Sequence, residues 1–243
     1  MLFTSVSLMH FNLNKFFHVG LVLLTLGLSC HAETFTFDQG KSVDDYLVFP
    51  TSRLRPHLTI APSEEGDLLT FRSEKGAGDL ALFEPVPNLK TSGDEVEVVL
   101  RSDGNVTFAV FLRGETWGAP AYVVFYSPTP DGTARLHLSK TRLELPQDLS
   151  AGSLATKHAR SIHVPGDWFV LRIRVINQSD GTVSLEVQLR DIHGQETVLQ
   201  VAADDKIDPL TAPAPLGLRF FANASGGSIE IKSIMINEAP PQP

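Results

Sequence analysis

The stretch that decides the fold runs from Leu171 to Leu189, LRIRVINQSDGTVSLEVQL. Leu171, Ile173 and Val175 alternate with Arg172 and Arg174, and Leu185, Val187 and Leu189 alternate with Glu186 and Gln188. A period of two puts every apolar side chain on one face of an extended strand and every polar one on the other. Between the two runs stands Asp180-Gly181, a pair suited to the positive φ angles of a tight hairpin turn. The stretch therefore predicts two antiparallel strands that bury one face and wet the other.

The same reading extends outward. Glu95 to Leu100 and Arg135 to Leu138 alternate in the same way. Asp103-Gly104 is expected to join strands near 94–101 and 105–113, Asp131-Gly132 to open a strand at 133–139, and His193-Gly194 to join 182–190 to 196–202. Val106–Leu112 and Tyr122–Tyr126 are apolar on both faces, which predicts central strands covered on both sides. Thr141–Ala159 is polar and loosely patterned, and reads as a long loop. Helical periodicity is nearly absent after Glu33. Roughly twelve to fourteen short strands in one uninterrupted segment, 33–238, predict an all-β domain: a two-sheet antiparallel jelly-roll sandwich.

The N-terminus reads differently. Met1 to Asn14 holds no acid, and Lys15 and His18 precede an apolar run, Val19 to Leu28, that is too short to span a bilayer. Ser29-Cys30-His31-Ala32 follows. This is the pattern of a cleavable export signal over residues 1–32, with Glu33 as the new N-terminus and a periplasmic or extracellular destination. Lipid anchoring through Cys30 is the alternative. The tail 239–243, APPQP, is rich in proline and is expected to be frayed.

The 243-residue chain carries a net charge of −8, and losing residues 1–32 removes Lys15 and no acid. An acidic domain without a basic cluster does not suit nucleic acid, whose phosphates need a positive surface. The only cysteine, Cys30, lies in the signal, so the domain must be held by its core without a disulfide.

Phe35-Thr36-Phe37-Asp38, the Gly166-Asp167-Trp168-Phe169-Val170-Leu171 run into Arg172–Val175, and Leu216–Phe220 followed by Gly227–Ile236 together resemble concanavalin A-like lectin/glucanase sandwiches. The nearest look is to exported bacterial laminin G-like modules and the 3-keto-disaccharide hydrolase type. The resemblance implies pairing of the first and last strands, and puts Trp168 at a structural, core position. Against the hydrolase type, Arg113, Gly114 and Tyr122 match, but Val123 stands at the acidic position and Phe125 at the amide position. The laminarinase motif Glu-x-Asp-x-x-Glu is met only by Glu65-Gly66-Asp67, with Thr70 in place of the last acid. Both departures replace groups that acid–base chemistry needs.

Glu95 and Glu97 share a strand face and read as an exposed acidic face. His57, His137, His158, His163 and His193 lack zinc-site spacing. No cofactor is implied; calcium through Asp38, Asp44 or Asp45 is the one ion the resemblance leaves open. Aromatic groups are the better lead, because sugar rings stack on them while polar groups hold the hydroxyls. Arg113, Trp117, Tyr122 and Tyr126 are the candidate ligand-binding residues. The reading is an exported, non-catalytic module that binds glycan or another cell-surface ligand, with no transmembrane span after the signal. A glycoside hydrolase of the same fold is one alternative, and a structural cell-envelope domain another.

Overall fold

The computed structural model describes residues 31–86, 89–91, 94–114, 120–142, 152–160, 165–193 and 196–238. The expected signal through Cys30, Trp117, His163, Gly194 and the 239–243 tail lie outside the described residues.

Fifteen strands are present among the described residues. The first half of the chain holds β1 (His31–Thr36), β2 (Leu47–Val48), β3 (Leu58–Ala61), β4 (Leu68–Ser73), β5 (Gly78–Phe83), β6 (Glu95–Ser102) and β7 (Val106–Leu112). The second half holds β8 (Pro120–Pro128), β9 (Ala134–Arg142), β10 (Ser153–Ala159), β11 (Phe169–Asn177), β12 (Val183–Asp191), β13 (Thr197–Asp205), β14 (Leu216–Ala222) and β15 (Gly227–Glu238). They form two antiparallel sheets. One has eight strands in the order β13-β12-β11-β6-β15-β4-β3, with β1 also on β15; the other has seven, β10-β9-β8-β7-β14-β5-β2. The chain is a jelly-roll sandwich, as its alternation predicts.

The deciding hairpin pairs in register, Leu171 with Leu189 and Val175 with Leu185. Its apolar residues are buried, as are Val96, Val98 and Leu100 of the neighbouring β6. Facing them from the other sheet are Phe108, Val110, Tyr122, Val124, Phe220 and their neighbours, in one continuous core. Each such aliphatic or aromatic side chain contributes about 1.5–3 kcal/mol on burial. The first and last strands do pair: Phe35 lies opposite Ile234. β1 starts at His31, two residues before the expected mature N-terminus, so cleavage after Ala32 would leave Glu33–Thr36 paired to β15.

Two sequence expectations are corrected. Asp103-Gly104 does not make a hairpin: β6 and β7 lie in different sheets. The turn is a corner, closed by the Asp103 carboxylate, which accepts from the Ser228 amide at 2.7 Å and the Asn105 amide at 2.9 Å. Gly104 has φ +89°, and a Cβ there would stand 2.7 Å from the Pro130 nitrogen. Turn chemistry fixes the backbone's bend, not whether the flanking strands pair. The loop expected over Thr141–Ala159 also contains a strand, β10, paired to β9 with Thr156 opposite His137. β10 is an edge strand whose residues are exposed or half-buried, so it lacks the apolar alternation that reveals interior strands.

The both-faces apolar strands β7 and β8 are central in their sheet. On its outer side Leu80, Ala109, Phe111, Ala121, Val123 and Phe125 form a second buried apolar cluster.

Candidate functional site

Three of the four residues expected from the sequence to meet a ligand are interior groups. Arg113 is 1% exposed and Tyr122 and Tyr126 are fully buried. Arg113 follows β7 at φ +59°, a left-handed conformation that costs a non-glycine residue about 1–2 kcal/mol. Its guanidinium donates to Asn177 Oδ1 at 2.7 Å, to the Leu210 carbonyl at 2.8 Å and to Asp94 Oδ1 at 3.2 Å. Burial lowers the Arg113 pKa from its ordinary value, opposed by the Asp94 charge. The Tyr122 hydroxyl donates to Asp205 Oδ2 at 2.7 Å and accepts from the Leu210 amide at 2.9 Å. Leu210 thus joins Arg113 and Tyr122 through its two backbone groups. Burial raises the pKa of both tyrosines. These residues tie the β13–β14 connection to both sheets, a structural role that satisfies polar groups inside the fold.

The other candidates are similarly engaged. Glu95 is paired with Arg172 at 2.8 Å and Glu97 with the same side chain at 3.3 Å, the outer acidic face being neutralised across strands. Asp38 accepts from the Gly40 amide at 2.8 Å, Asp45 from the Ser42 amide at 2.7 Å, and Asp44 pairs with Arg55. Among the described residues no three His, Cys, Asp or Glu side chains are grouped to hold a metal. His137 is buried, with Nδ1 2.5 Å from the Thr156 hydroxyl.

An open concavity among the described residues lies at the other end of the eight-stranded sheet, on its outer face. Arg113 sits beside Asp94 at the start of β6; this groove sits near Arg101 at its end, about 25 Å away along the strand. β3, β4 and β15 build it. Leu69 and Phe71 of β4 point into the core, so Thr70 and Arg72 point out. Register sets Thr59 opposite Thr70, Thr70 opposite Glu230, and Glu230 opposite Arg101. Thr59, Thr70 and Glu230 of this row line a groove of about 770 Å³, together with His57, Arg72, Glu74 and Lys75. A second depression of about 300 Å³, lined by Arg101, Asp103, Gly166 and Ser228, adjoins it across Glu230.

The polar groups of this groove differ in how they are used. Glu230 is neutralised by the Arg101 Nε, and Arg101 also lies 4.0 Å from Glu65. Thr70 is only 8% exposed, yet its hydroxyl has no hydrogen-bond partner among the described residues. Arg72 is exposed and forms no ion pair among the described residues. Trp168, expected in the core, is half-buried on this outer face, because Phe169 and Leu171 take the inward positions. Its ring lies 4.5 Å from the Arg101 guanidinium carbon and 5.8 Å from Lys232 Nζ, a cation–π arrangement on both counts.

No protein-family model matches the chain, and no curated protein matches it. Among solved structures it is similar to the Crh5 transglycosylase in complex with NAG, at 13% identity over 87% of this chain and 86% of that one, with a TM-score of 0.53. It is also similar to the metal-free Emp46p carbohydrate recognition domain, at 14% identity over 84% of this chain and 100% of that one, with a TM-score of 0.51. These likenesses define the class: the chain has the concanavalin A-like lectin/glucanase fold. Among the described residues no helix is long and apolar enough to cross a membrane.

Proposed function

We propose that this is an exported, non-catalytic glycan-binding module whose ligand lies in the groove over β3, β4 and β15. The observation that carries the reading is Thr70, a nearly buried hydroxyl without a partner among the described residues, at the floor of that groove. A buried polar group left unpaired costs about 1–3 kcal/mol, and a sugar hydroxyl is a chemically matched partner for it. The fold supports the same class of ligand, since it is shared with a carbohydrate recognition domain and with a transglycosylase in complex with NAG. Glu230 tied to Arg101, and Glu95 and Glu97 tied to Arg172, favour binding over hydrolysis, which needs a carboxylate pair committed to the glycosidic bond. A groove with an unpartnered hydroxyl favours a ligand over a purely structural envelope role. Export rests on the sequence of residues 1–32.

A glycan-array screen of the purified protein tests this, with Thr70→Val and Trp117→Ala as the two variants. Binding lost in Thr70→Val and kept in Trp117→Ala is expected. The reverse pattern would assign the site to Trp117 instead, and failure to bind any glycan would end the reading.

A further inference from the structure

We infer that the groove selects an acidic glycan, one bearing uronate or sulfate groups, and that Arg72 is the residue that recognises the acid. The inference rests on the glycan-binding reading and adds the substrate class.

The ionised groups that line the groove set the charge of the ligand it suits. Its lining carries two carboxylates, Glu74 and Glu230, and two permanent cations, Arg72 and Lys75, with His57 beside them. Glu230 is already neutralised by Arg101, a side chain that belongs to the adjoining depression. The lining is balanced in formal charge, but with Glu230 held by Arg101 the exposed Arg72 guanidinium has no ion-pair partner among the described residues. The chain as a whole is at −8. On a chain of that charge, an acidic oligosaccharide finds in Arg72 a cation that no carboxylate among the described residues has already claimed.

Arg72 is placed to give that attraction a shape. It stands two residues from Thr70 on one face of β4, about 6.6 Å along the strand, close to the breadth of one pyranose ring. Its cross-strand neighbour on β15, Ser228, gives both its amide and its hydroxyl to Asp103, so Ser228 does not compete for the guanidinium. A free guanidinium presents a planar fork that matches a carboxylate or sulfate in two parallel hydrogen bonds. A sugar hydroxyl on Thr70 and an acid on Arg72 would fix one residue of the glycan at two points.

Binding of three probes of equal length, a uronate hexamer, a sulfated hexasaccharide and a neutral glucose hexamer, tests the inference by calorimetry at low and high salt. At least one acidic probe is expected to bind tenfold or more tightly than the neutral one, with the margin shrinking as salt rises. Arg72→Gln is expected to remove that margin, and Arg72→Lys to keep part of it. Thermal melting of each variant confirms that it is folded. A neutral probe that binds as tightly as both acidic ones, or a margin that survives Arg72→Gln, overturns the acidic assignment and leaves glycan binding standing. If none of the three probes binds, and the array is also blank, the parent reading falls with it.

Discussion

Tyr122 donates its phenolic hydrogen to Asp205 across 2.7 Å inside the sandwich, and its oxygen accepts the Leu210 amide at 2.9 Å. One hydroxyl therefore serves a strand end in one sheet and the connection that leads to the other. Tyr122→Phe keeps the ring and its packing but strands the Leu210 N–H and one Asp205 lone pair. The expected loss is about 1–3 kcal/mol of stability, the cost of leaving buried partners unmade. Chemical denaturation of the two proteins side by side measures it; an unchanged midpoint would show that water replaces the hydroxyl.

Asp205 gives the fold a pH signature. Burial raises its pKa, but the Lys140 ammonium at 2.9 Å, the Tyr122 hydroxyl and the Ile207 amide outweigh burial and hold it below the usual carboxylate value. A group whose folded pKa is depressed stabilises the protein above its unfolded pKa of about 3.9, and that stability is lost as pH falls through the folded value. Stability is therefore expected to fall below about pH 4. Asp205→Asn should be less stable than the native protein at neutral pH and converge on it in acid. Melting temperatures recorded from pH 7 downward check this; parallel curves would remove Asp205 from the acid limb.

Arg113 is a fork spread over three elements, and a lysine cannot replace it. Arg113→Lys keeps the charge beside Asp94 but gives up the reach to Asn177 and Leu210 together, and it still bears the strain of φ +59°. Breaking a buried charged network of this kind costs about 3–5 kcal/mol, of which the retained charge recovers a part. Denaturant titration of the variant is expected to show a loss of about 2–4 kcal/mol by that reasoning. Hydrogen exchange should locate the weakened protection in the β13–β14 connection around Leu210.

The strands are legible in the sequence where one face is apolar and the other polar, as in Leu171–Val175 and Leu185–Leu189, because that alternation is itself the record of burial. β10 is not, since an edge strand with little buried surface leaves no such record. The Asp103-Gly104 corner is illegible because its partner, Ser228, is 125 residues away and no local signal names it. The position of the candidate groove is hidden for a related reason. Arg113 and Tyr122 look functional in the sequence because they match the hydrolase-type segment and because aromatic and polar groups suit a sugar, whereas the fold gives them protein partners, Asp94, Asp205 and Leu210. Trp168 faces outward because its neighbour Phe169 already holds the inward phase, a conflict the alternation itself contains. Thr70 and Arg72 alternate with Leu69 and Phe71 in the sequence, but only the register that sets Thr70 beside Glu230 and Thr59 turns them into a groove.

Thr70 offers the sharpest test of function, because stability and binding should move in opposite directions. Val is close to Thr in shape and is at home in a strand, so Thr70→Val keeps the packing of β4 between β3 and β15. In the free protein the substitution removes a nearly buried hydroxyl that has no partner among the described residues, which relieves about 1 kcal/mol of desolvation. In the complex the same change removes the partner of a sugar hydroxyl. The variant is therefore expected to melt at the same temperature as the native protein or higher, while glycan affinity falls by about tenfold, the equivalent of roughly 1.4 kcal/mol. Paired melting and binding measurements decide it. A variant that loses stability as well as binding would mean that Thr70 holds the strand together, and a variant more stable and fully active would mean that its hydroxyl meets no ligand.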